Sequence, residues 1–110
     1  KMWDEPTKYC EGWNFGPRAE SISTVWDVAT KVVKNYGSGE LKDISVPNAL
    51  HEAKLLMLDI SKAKFRLGWE PRMDIDQTMG LTVDWYKKYK EKNVHDLCLE
   101  QIQEYISLGI

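Results

Sequence analysis

The chain has 110 residues, 43% of them apolar and 29% charged, a balance ordinary for a soluble globular protein and sufficient for one compact domain with a modest core. A formal net charge of −2 excludes a bulk basic field for nucleic acid or an anionic membrane surface. No apolar run approaches the roughly 20 residues of a membrane span, and no secretory leader is visible.

In chain order, "KMWDEPTKY" reads as the end of a helix followed by a polar link. Lys1 in place of an initiating methionine reads as an upstream part removed or an ordered region that starts late. "GWNFGP" (Gly12 to Pro17) is a short apolar run closed by Gly-Pro, which predicts a buried strand entering a loop. "SISTVWDVATKVVKNYG" carries the clearest helical period. Ser23 is the expected cap, Val25, Val28, Ala29, Val32, Val33 and Tyr36 form one stripe, and Gly37 ends it. "LKDISV" (Leu41 to Val46) alternates as a strand does, and "KLLMLDI" (Lys54 to Ile60) predicts a more buried one.

"SKAKFRLGWEP" predicts a short helix started at Ser61, ended by Gly68 and blocked from continuing by Pro71. "DIDQTMGLTVDWYKKYKEKN" predicts a longer one, capped by Asp74 or Asp76, with Ile75, Met79, Val83 and Tyr86 buried. "NVHDLCLEQIQEYISLGI" predicts a last helix capped by Asn93. Together these elements predict an α/β chain, closer to a small α+β domain, with short strands and three to four helices over residues 1–110. No strand–helix pair is followed by another, so a complete doubly wound sheet is not expected from these residues.

The chemistry-bearing residues are few. Tyr86 and Lys90 in "WYKKYK" have the Tyr-x-x-x-Lys spacing that places a phenol and an ammonium on one helix face, where the cation would favour a phenolate base. A lysine-rich amphipathic helix yields that spacing by chance, and the scattered glycines provide no strand–turn–helix site for a dinucleotide. The same aromatic and basic mixture is the composition of a single-strand stacking platform, against which stand Asp84, Glu91 and the acidic balance of the chain. Asp74 and Asp76 are explained as helix caps. Cys10, Cys98, His51 and His95 have no metal-ligand spacing, so no metal is expected. Reduced thiols in a cytoplasmic protein are the simplest reading, with one Cys10–Cys98 bridge as the alternative. His51 and Glu52, followed by Lys54, form the polar group best suited to hydrogen-bond a phosphate or ribose from a loop; an ordinary surface loop is the competing reading.

Three stretches go further in combination: "EGWNFGP", "HEAKLLMLDISKAKFRLGWEP" and the helix containing "TVDWYKKY". They resemble the C-terminal part of nucleotide-sugar enzymes of the extended short-chain dehydrogenase family. The likeness covers about residues 3 to 106, and "HEA" with the tail Cys98, Gln101, Ile102, Tyr105 narrows it toward the dehydratases. The resemblance implies a sugar-nucleotide-binding C-terminal domain whose NAD-binding Rossmann partner and catalytic tyrosine, lysine and acidic pair lie upstream of this chain. It implies a nucleotide-sugar substrate, a homodimer as the common assembly, and no catalytic residue here. His51 and Glu52 match the family's His-Glu in the loop near the nucleotide, with Lys54 toward the phosphates. Gly68 and Trp69 match a packing stretch. Another epimerase or dehydratase of the family is the alternative within the class. A free-standing nucleotide-sugar or protein-binding module, or a helical partner protein using the last two helices, is the alternative outside it.

Overall fold

Two helices begin with the same reciprocal device. In the computed structural model, which describes residues 1–21, 23–47 and 57–109, the Thr24 hydroxyl accepts from Asp27 N–H and the Asp27 carboxylate accepts from Thr24 N–H. Asp74 and Gln77 repeat the arrangement fifty residues on. Each box satisfies two of the donors that a helix start leaves open. The helices they start are α2 (Val25–Tyr36) and α4 (Ile75–Lys88). The cap of α2 is thus Thr24, not Ser23. Asp74 takes the second cap, and Asp76 is free to pair with Lys31 of α2.

The remaining elements are a single turn α1 (Pro6–Tyr9), a 3-10 turn at Ala19–Ser21, α3 (Ser61–Leu67) and α5 (Val94–Ser107). The helix end expected before a polar link near residue 9 is instead this one turn, started by Pro6. Gly37 and Gly68 end α2 and α3 with φ of 87° and 65°, left-handed values that a residue with a Cβ rarely adopts. Asn93 caps α5 through Asp96 N–H.

The expected α/β class is overturned, because the regular structure of the described residues is helical throughout and contains no strand. "GWNFGP" and "LKDISV" run as irregular chain, as do residues 57–60 of "KLLMLDI", whose first part lies outside the described residues. Alternation marks a segment with two faces; a ladder also needs a pairing edge, and none exists among these residues. Tyr86, expected in the buried stripe of α4, is 62% exposed; Val83, one turn earlier, takes the buried position.

α4 is the hub. On one side it meets α2, where Lys31 pairs with Asp76 and the Lys87 ammonium lies 5.7 Å from the centroid of Tyr36. Gly80 faces α2 here, and a Cβ on it would make ordinary contact with Asn35 Oδ1 at 3.7 Å. On the other side it meets α5, where Gln101 Nε2 donates to Leu81 O at 2.8 Å, and Lys92, in the turn between the two helices, pairs with Glu100 at 2.9 Å.

Burial is sparse. Among the described residues the buried apolar side chains are Tyr9, Ala63, Val83 and Leu97. The chain exposes 9347 Å², against about 6,300 Å² for a folded monomer of its mass. Its radius of gyration is 17.3 Å, against about 13 Å for a compact chain of this length. These residues do not cover themselves.

Candidate functional site: an aromatic cleft between two loops

Gly68 does more than end α3. Its N–H donates to Lys64 O, and Trp69 N–H turns back to Ala63 O at 3.2 Å. That closure aims the Trp69 indole at Phe15, and the two rings meet edge to face with centroids 5.0 Å apart. The "GWNFGP" and "LGWEP" stretches, more than fifty residues apart, therefore form one structure. A Cβ on Gly16 would lie 3.4 Å from that of Leu58, so the backbone here runs close against residues 58–60.

Around this contact opens an apolar cleft of about 360 Å³, with Phe15, Pro17, Trp69, Ile75 and Tyr105 among its walls. Two arginines flank it. Arg72 lies 5.5 Å from the centroid of Tyr105 and donates to Ile106 O at 3.3 Å. Arg18 donates to Pro71 O at 3.1 Å and stands 3.9 Å from Glu70. Lys64 also pairs with Glu70 and, together with Arg18, holds its carboxyl below the usual range. Each guanidinium carries five donors, so these contacts fix its position without exhausting it.

A clasp behind the cleft ties the first loop to α3. The Glu11 carboxylate receives Lys62, at 3.1 Å, and Arg66. Lys62 also donates to Gly12 O at 2.8 Å and sits 4.6 Å from the Trp13 centroid, with Arg66 at 5.0 Å from the same ring. Lys62 foremost, with Arg66, holds the Glu11 carboxyl below its ordinary range. These are exposed ion pairs whose value is geometric: they set where the Gly12–Pro17 loop begins.

A second, more open groove of about 570 Å³ lies between α4 and α5, with Trp85, Tyr86, Cys98, Gln101, Ile102 and Tyr105 in its lining. The four tail residues singled out in the sequence thus share one face, and Tyr105 belongs to both cavities. Tyr86 stands edge-on to Trp85 and Tyr89, while the Lys90 ammonium lies 5.7 Å over Tyr89. The Tyr86/Lys90 spacing therefore records an aromatic cluster, not an acid–base pair. Cys10 and Cys98 are free thiols. Among the described residues no three His, Cys, Asp or Glu side chains gather as a metal site would require, and no helix is long and apolar enough to cross a membrane.

His51, Glu52 and Lys54 lie outside the described residues. The cleft itself was not expected. Phe15, Trp69 and Tyr105 each belong to a stretch that carries the resemblance, but no sequence feature signals that the three meet. Arg18 and Arg72 had no signal.

No family model matches the chain, and no solved structure matches it. It is 37% identical over 108 residues to the CDP-glucose 4,6-dehydratase of Salmonella typhimurium, an alignment covering 97% of this chain and 30% of that protein. The chain thus spans under a third of a relative that is a nucleotide-sugar dehydratase, and nearly all of it takes part in the likeness.

Proposed function

We propose that these residues are the C-terminal, sugar-nucleotide-binding portion of an NAD-dependent CDP-glucose 4,6-dehydratase of the extended short-chain dehydrogenase family. The parent would convert CDP-glucose to CDP-4-keto-6-deoxyglucose for deoxysugar synthesis. The observation that carries this reading is the 37% identity sustained over 97% of the chain. Two features support it. The motif stretches that prompted the resemblance meet at Phe15 and Trp69. The large uncovered surface fits a part that sits against a larger body.

In this reaction the sugar is oxidised at C4, loses water across C5 and C6, and regains the hydride at C6. NAD supplies the hydride acceptor and donor, held by residues outside this chain. The part assigned to these residues is binding. Within it, the resemblance assigns His51 and Glu52 to the nucleotide and Lys54 to its phosphates. His51→Ala in the intact enzyme should raise KM for the sugar nucleotide several-fold and leave kcat within about twofold, the pattern of lost uniform binding. Steady-state kinetics read the split, and a loss confined to kcat would place His51 in the transition state instead.

The test of the whole reading is turnover by the intact protein of CDP-, UDP- and GDP-glucose, followed by NMR of the 4-keto product. Preference for CDP-glucose is expected. Preference for another base removes the CDP assignment, and no 4-keto product from any of the three removes the dehydratase.

A further inference from the structure

α2 is the most sharply amphipathic of the three long helices, yet none of its residues is buried. Val25, Ala29, Val32 and Tyr36 recur at the i, i+4, i+7, i+11 positions of one face. Val25 is 88% exposed, Val32 39% and Tyr36 48%. The three charged residues of the helix, Asp27, Lys31 and Lys34, all fall on the opposite side of the helical wheel. α4 reaches the stripe at its Tyr36 end, where Lys87 lies over the ring, and leaves Val25 and Val32 exposed. It meets α2 along the Lys31–Asn35 edge, through Asp76 and Gly80. At 100° per residue that edge is turned about 80° or more from the centre of the stripe.

The composition of the stripe sharpens the point. Four of the twelve residues of α2 are valine, a β-branched residue that loses side-chain freedom in a helix and is no better than average as a helix former. Such a helix gains its stability from packing an apolar face, and here Val25, Val32 and Tyr36 of that face stay exposed.

We propose that the Val25–Ala29–Val32–Tyr36 stripe is the surface by which these residues seat against the rest of their own polypeptide. The proposal rests on the reading of the chain as part of a longer dehydratase. Three observations choose this occupant. More than two thirds of the relative lies outside the aligned region, so a large body is at hand. The chain exposes roughly 3,000 Å² beyond what a self-contained fold of its mass would. The stripe is free of charge along its length, which suits a permanent apolar contact within one molecule and offers no hold to an acidic or basic ligand.

The experiment is cysteine labelling of the intact protein. Val32→Cys and, at the other end of the stripe, Val25→Cys are compared with Lys34→Cys on the opposite side of α2. Maleimide modification at each position is followed by peptide mass spectrometry, natively and in urea. The expected result is labelling of both stripe positions about tenfold or more slower than position 34, as for sites that react only through local opening, with the difference abolished in urea and unchanged on dilution. Equal rates at the three positions overturn the proposal. Protection that disappears on dilution also overturns it, because a second copy would then be the cover. Having two stripe variants keeps the test valid if one disturbs the fold. Labelling needs no substrate, so it separates the two readings. Protected stripe positions without 4-keto product would leave the interface standing and remove the dehydratase; turnover with freely labelled stripe positions would do the reverse.

Discussion

Leu97→Ala is expected to destabilise the intact protein by about 2–4 kcal/mol, lowering the urea midpoint of the transition that unfolds this region. Leu97 is 1% exposed, on the side of α5 that faces α4, in the same turn-to-turn register as Gln101 and its bond to Leu81 O. Truncation removes the methyl groups from contact with their surroundings and leaves a void that two helices, both fixed at their N-termini by caps, cannot readily close. With so few buried apolar side chains, one of them is a large share of the packing energy. Gln103→Ala, on the solvent side of the same helix, should stay within about 0.5 kcal/mol. Comparable midpoints for the two variants would show that α5 is not held through Leu97.

The isolated 110 residues should produce no 4-keto sugar from CDP-glucose, with NAD present, under conditions in which the intact protein does. The proposed division of labour leaves binding groups here and places both the hydride site and the acid–base pair elsewhere. The described aromatic cleft is consistent with that division: rings and prolines make up much of its lining, its carboxylate Asp74 is engaged in capping α4, and Arg72, with Arg18 beside the cleft, donates to a backbone carbonyl. NMR of the reaction mixture decides it. Any 4-keto product from the fragment would mean that these residues hold a catalytic centre of their own, and the division would fall.

The helices were largely legible because their ends are written locally. Gly37, Gly68, Asp74 and Asn93 each act within one turn, and each stands where the sequence places it. Ser23 lost the cap to Thr24 because only the latter finds an acidic side chain three residues on. The strands expected at Gly12–Pro17 and Leu41–Val46 are absent because a ladder is a relation between two segments, and one segment's alternation carries half of it. Tyr86 was misplaced for a related reason. Its period puts it on the side of Val83, yet it stands at the open groove between α4 and α5, where no neighbour covers it. The cleft was illegible because Phe15 and Trp69 are joined by the turn at Gly68 and the clasp at Glu11, and neither contact has a local signature.

The clasp also bears on which changes of length the chain tolerates. Joining Gly12 to Lys62 closes a loop of 50 residues that contains the whole of α2. The entropy of closing a loop grows only with the logarithm of its length, so even a doubling would cost about 0.6 kcal/mol. Insertions or deletions of a few residues beyond α2 should therefore leave the cleft almost untouched. A single residue added between Gly68 and Trp69 would turn the indole away from Phe15. Relatives of this chain are expected to vary in length in the first place and to keep a fixed count in the second.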